Sequence, residues 1–361
     1  MAEANSPTVQ EGRMDDDVTR EGDLTLVSRP KILIATAVLF GLAALVTTPS
    51  LLIALGPLRA SLVSDNELTR RTAELTILGF RAVCLCVALL VAVVLVRWKP
   101  VVGSPAVRAL ALHPVPTFER DFLGTLVNRS FAVVVAMSVL SVVYLAVSPS
   151  LLSMPMQRWI ASEAGIVERG TALLFLVSSV IAFVIVNRVR RRLLDAREMR
   201  RLVWVVLLGL FFFLCFGEEL SWGQRILEIE TLEAMKGINV QDENNLHNMM
   251  GYLADHLFIL GVFVYGFLLP ALGTKYDFVR RACHWVGFPI ASFGLAIGFA
   301  LASGVHEWTV YRFLPETQLR AAEVRELLAG TGFILLMLES LTLTRREFET
   351  QGDRNDGSLA D

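Results

Sequence analysis

Charge is scarce in this chain. Asp, Glu, Lys and Arg make up 19% of 361 residues, and hydrophobic residues make up 54%. A soluble domain needs a charged surface over its core, so this balance excludes one and points to a membrane protein. Basic stripes with interleaved aromatics are absent, which removes a nucleic-acid surface. The four cysteines, Cys84, Cys86, Cys215 and Cys283, lie in or beside apolar runs and form no loop framework, so no disulfide scaffold is expected. There is no HExxH, no HxxxH and no pair of ExxH elements. No internal repeat supports a transporter built from symmetric halves. No cleavable signal peptide is expected, because the first apolar run begins near Lys31 behind a polar tail and has the length of a signal anchor.

What the chain does have is long apolar stretches, at 31–55, 75–97, 130–148, 170–188, 202–221, 249–272, 285–305 and 325–343. They predict an all-α fold, a polytopic membrane bundle of about eight transmembrane helices. The expected organisation is a disordered polar tail at 1–29, a transmembrane domain at 30–344 and a second polar tail at 345–361. The segment between the fourth and fifth runs carries Arg188, Arg190, Arg191, Arg192, Arg197, Arg200 and Arg201. Loops of that kind stay in the cytoplasm, which puts both termini there in a bacterial inner or plasma membrane.

The fifth run ends in Glu218-Glu219-Leu220-Ser221-Trp222-Gly223-Gln224. Adjacent carboxylates inside a bilayer edge cost several kcal/mol unless they have a partner or a task. Depth follows from the helical rise of about 1.5 Å per residue. Glu219, His256, Asp255 and Arg81 then fall in one slab in the outer part of the membrane, together with Thr47 and Thr48 beside Pro49. Glu243, Asn244, Asn245, His247 and Asn248, with His306 and Glu307, sit above it. Glu339 in the last run is a lone acid expected to pair with Arg345 or Arg346.

This layer has three readings. Glu219, His247, His256 and His306 form a candidate ligand set for a divalent metal such as zinc, with Glu218 or Asp255 as base or orienter. Such a site would serve an outward-facing hydrolase or transferase acting on a membrane lipid or lipid-linked substrate, with Glu218, Glu219, Asp255 and Arg81 as its catalytic groups. In chemistry, though not in motif, the set resembles that of the multi-pass zinc amidases that include alkaline ceramidases. The second reading is a transporter or an ion- or proton-binding protein built on a Glu218/Glu219–Arg81 layer. The third is an interaction subunit whose polar pairs only fix helix register.

Overall fold

Backbone polar groups have no water to bond inside a bilayer, so apolar runs of this length must close their own hydrogen bonds as helices. The computed structural model describes residues 30–55, 62–63, 67–161, 165–191, 196–227, 229–231, 252–305 and 321–357, and these contain helices and no strand. In chain order the helices are α1 (Pro30–Val46), α2 (Pro49–Leu55), α3 (Glu67–Val96), α4 (Trp98–Val102), α5 (Pro105–Ala111), α6 (Thr117–Gly124), α7 (Arg129–Leu151) and α8 (Met154–Ala161). They continue as α9 (Ile166–Val189), α10 (Ala196–Glu219), α11 (Gln224–Leu227) and α12 (Tyr252–Gly261). A π-helical stretch, Val262–Leu268, joins α12 to α13 (Leu269–Lys275), which is followed by α14 (Asp277–Val286), α15 (Phe293–Gly304) and α16 (Ala321–Gly357). Six helical stretches are long and apolar enough to cross a membrane, and two shorter apolar helices, Leu33–Val46 and Phe293–Gly304, accompany them. This is compatible with a multi-pass integral membrane protein.

Small residues let the central helices approach closely. On α10, Gly209 lies against Ala182 and Phe183 of α9, and Ser179 Oγ donates to the Gly209 carbonyl over 2.8 Å. On the opposite side α9 lies along α16, with Gly170 facing Leu327 and Gly330 facing Leu174. These pairings make α9 and α16 parallel and α10 antiparallel to both. Phe175, Phe212, Phe299 and Phe333 form the aromatic centre of the core, with ring centroids 5.0 Å apart for Phe212–Phe333 and 5.2 Å for Phe299–Phe333. Helices α1 and α3 pack on each other at the periphery, and α3 leaves most of its length exposed to the surroundings, as a lipid-facing helix does.

The first and seventh expected spans differ from the sequence reading. The run at 31–55 breaks at Thr47–Thr48, because Pro49 has no N–H to continue the helix and instead starts α2. Thr48 caps the new helix, its Oγ1 accepting from Leu51 N at 3.3 Å. The run at 285–305 is helical only from Phe293. Gly287 closes α14 in the left-handed region (φ 76°), Pro289 follows, and residues 288–292 form no regular structure before Ser292, in extended conformation, caps α15.

A non-helical segment at this depth must find side-chain partners. Glu339 supplies them: Ser292 N donates to its Oε2 at 2.8 Å and Ser292 Oγ to its Oε1 at 2.7 Å. Glu339 therefore does not reach for Arg345 or Arg346; it holds the start of α15. Nor does helical structure stop at the expected tail boundary, since α16 continues through 345–357. Its Glu347 forms ion pairs that anchor this extension.

Candidate functional site

The end of α10 is built in an unusual way. After Glu219 the chain places Ser221, Trp222 and Gly223 in succession at positive φ (46°, 54° and 80°). A single glycine closes most helices; here two non-glycine residues adopt the left-handed region at a cost of about 1–2 kcal/mol each. The result folds the Trp222 indole back over the last turn. A Cβ on Gly217 would lie 2.8 Å from two ring atoms, so only glycine admits the ring. Trp222 Nε1 then donates to Glu218 Oε1 at 2.8 Å. Trp222, an exposed aromatic at the end of a span, thus orients a carboxylate.

Other acids gather at this end. The charges of Glu218, Glu219 and Glu326 all reach the Cys215 thiol. Glu219 lies ten residues beyond Gly209, about 15 Å along the axis, which is level with about Ala172 of α9. One turn above that level Glu168 begins α9, and Glu323 and Arg325 begin the parallel α16; all three are buried. Sequence reading missed Glu168, Glu323, Arg325 and Glu326 because they stand just before or at the very start of the apolar windows and look like loop charges. The available signal was the spacing of Glu323 and Glu326, which puts them on one helix face at the mouth of a span.

Of the expected slab, His256 and Glu219 can be compared in height. Phe258 of α12 packs edge-on against Phe175 and Phe333, so His256, two residues earlier, sits within about one residue of the Glu219 level. Arg81 has a different partner from the one expected. Its Nε donates to the Ala44 carbonyl at 2.8 Å, a carbonyl left over where α1 stops before Pro49. Among the described residues no ion pair joins Arg81 to Glu218 or Glu219. Helix α3 touches α12, whereas α10 lies along α9 and touches α14. The backbone of Asp255 is on α12 and its side chain lies outside the described residues, as do Glu243, His247 and His306. Among the described residues no three His, Cys, Asp or Glu side chains are grouped as metal ligands.

A second polar centre, which the sequence did not reveal, lies at the opposite, arginine-rich end. Arg201 donates from Nη1 to Glu347 at 2.6 Å and from Nη2 to Thr344 Oγ1 at 2.7 Å, and Arg197 pairs with the other Glu347 oxygen. Arg197 Nη2 also lies 3.9 Å from Glu119 Oε2. His284 of α14 is buried beside Glu119, with Nε2 3.3 Å from Oε2, and its Nδ1 shares a 2.8 Å hydrogen bond with His113 Nε2. Glu119, Arg197, Arg201 and His284 line a small cleft together with Gly287, Pro289 and Ile290. Burial and the charges of His284, Arg197, Arg200 and Arg281 hold His113 below the usual histidine range.

Comparison with protein-family models, with curated proteins and with solved structures gives no match.

Proposed function

We propose that the chain is an eight-span membrane protein with both termini in the cytoplasm, and that the Glu218 end is an outward-facing active centre. In this reading six long helices and the two shorter ones, α1 with α2 and α15 with its non-helical lead, all cross. The arginine-rich end faces the cytoplasm by the charge rule. The reaction class is hydrolysis or group transfer on a membrane lipid or lipid-linked substrate, at a divalent metal ion.

The observation that carries this reading is the left-handed turn at Ser221–Gly223. Backbone strain persists where the surroundings over-determine it, and such places cluster at functional sites. Here the strain has one visible product: an indole laid over Gly217 that fixes Glu218, next to Glu219 at the end of α10. Carboxylates held this way suit a hard or borderline cation, and an oriented second carboxylate suits the water that such a cation activates. Glu219 and His256 are the proposed ligands at a common height, with His247 and His306 completing the set. Glu218 and Asp255 are the proposed bases. Arg81 enters this reading as a helix cap, since its guanidinium serves the Ala44 carbonyl.

Lipid extracts from cells producing the wild type and Glu219→Gln test the proposal. The wild type should change the amount of one lipid class, and Glu219→Gln, inserted in the membrane at equal level, should not. Identical lipid profiles for wild type, variant and empty vector would overturn it.

A further inference from the structure

The polar centre at the arginine-rich end stands apart from the proposed active centre, and its geometry makes a specific demand on protons. Two ring nitrogens 2.8 Å apart hold one hydrogen between them, because two N–H groups cannot face each other at that distance. With both rings neutral, His113 Nε2–H donates to His284 Nδ1, which leaves a hydrogen on His284 Nε2. That nitrogen is buried and makes no aligned hydrogen bond, although Glu119 Oε2 lies 3.3 Å away. The pair is thus arranged to take up one further proton. The added proton enters at His113 Nδ1, the one open ring nitrogen, and the shared hydrogen passes to His284 Nδ1; His284 is then an imidazolium that donates from Nδ1 to His113 Nε2 and from Nε2 to Glu119, reversing the bond between the rings. A second added proton would force the rings apart.

We propose that the Glu119–His284–His113 chain is a binding site for a single proton, and that its occupancy decides whether Arg197 bridges Glu119 to Glu347 or is held by Glu347 alone. Glu119 faces two nitrogen groups at different ranges, His284 Nε2 at 3.3 Å and Arg197 Nη2 at 3.9 Å. When His284 is charged, the closer partner takes the carboxylate and Arg197 turns wholly to Glu347. The site joins α6 and α14 to α10 and α16, so the proton changes how one pair of helices is tied to the other.

The charges around the pair are set by every neighbouring element. Helix α14 contributes Arg280, paired with Asp277, together with Arg281 and the Cys283 thiol. Helix α10 contributes Arg197, Arg200 and Arg201; of these Arg200 stacks 4.8 Å over the Trp285 ring and donates to the Trp285 carbonyl. Helix α6 contributes Glu119 and Arg120, and α16 contributes Glu347. The cations oppose a charged His113, and Glu119 lies beside the other ring.

The test is a nuclear magnetic resonance titration of the full chain, labelled with ¹⁵N-histidine, in lipid nanodiscs from about pH 8 to about pH 5. His113 and His284 should share one step, with a net uptake of one proton by the pair. In Glu119→Gln that joint step should move to lower pH. In His284→Asn the His113 signal should lose its coupled step. Hydrogen-exchange protection over 340–350, taken relative to the intrinsic base-catalysed rate at each pH, should rise across the same step in the wild type and stay flat in His284→Asn. Two separate steps with full protonation of both rings, or a step unmoved in Glu119→Gln, would overturn the proposal. The wild-type titration alone decides the point if a variant fails to fold.

Discussion

Trp222 donates its indole Nε1 to Glu218 Oε1 over 2.8 Å while its ring lies against Gly217, one residue before that carboxylate in the chain. The three residues act as one unit: the missing side chain at 217 makes the seat, the ring fills it, and the hydrogen bond fixes the acid.

Gly217→Ala should break that unit. The new methyl would sit 2.8 Å from the ring, closer than real contacts allow, so the indole must leave. Overpacking of this kind costs about 1–3 kcal/mol. Tryptophan fluorescence should report a changed environment and the melting temperature in detergent should fall. Gly41→Ala is the control, since nothing lies within 4 Å of the added Cβ, and it should leave the melting temperature unchanged or slightly raised.

Glu339→Leu should be strongly destabilising. It strips the acceptor from both Ser292 N and Ser292 Oγ where the chain is extended and buried. Each unsatisfied buried group costs about 1–3 kcal/mol. Glu339→Gln keeps one acceptor oxygen and should lose less. Thermal unfolding of the two variants checks the order; equal losses would contradict the capping role.

Stability should fall on acidification through His113. Its folded pKa is lowered, so between that value and about 6.5 the unfolded chain binds more protons than the native one. The contribution is therefore complete above about 6.5 and shrinks as pH drops below it. His113→Asn should flatten the melting temperature over this window.

Cys283 should resist alkylation in the native protein at neutral pH. Burial, with the Glu119 charge behind it, pushes its thiol up to about 11. Little thiolate is then present to react. Mass spectrometry after maleimide treatment should find Cys283 unlabelled when folded and labelled after unfolding.

How much of this was legible follows from what periodicity and length record. Apolar runs announce helices, so the long spans are visible in the sequence. Breaks depend on a few residues. Gly287 with Pro289 marks the late start of α15, and Pro49 marks the end of α1, yet a hydropathy window averages over both. Heights transfer well, because rise per residue is nearly constant, and His256 and Glu219 do share a level. Lateral neighbours do not transfer: Arg81, expected beside Glu219, instead caps Ala44. The Glu119–His284–His113 chain was hidden because its partners lie 165 and 171 residues apart in sequence or on separate short helices. The strained turn was hidden because Trp222 is a residue type that ordinarily avoids positive φ.

The account rests on a cation held at the Glu218 end, and elemental analysis of the purified full-length protein addresses it most directly. The wild type should carry about one divalent metal ion per chain after exhaustive dialysis, and Glu219→Gln, equally folded, should carry none. Metal-free wild type that keeps its effect on membrane lipids would contradict the account.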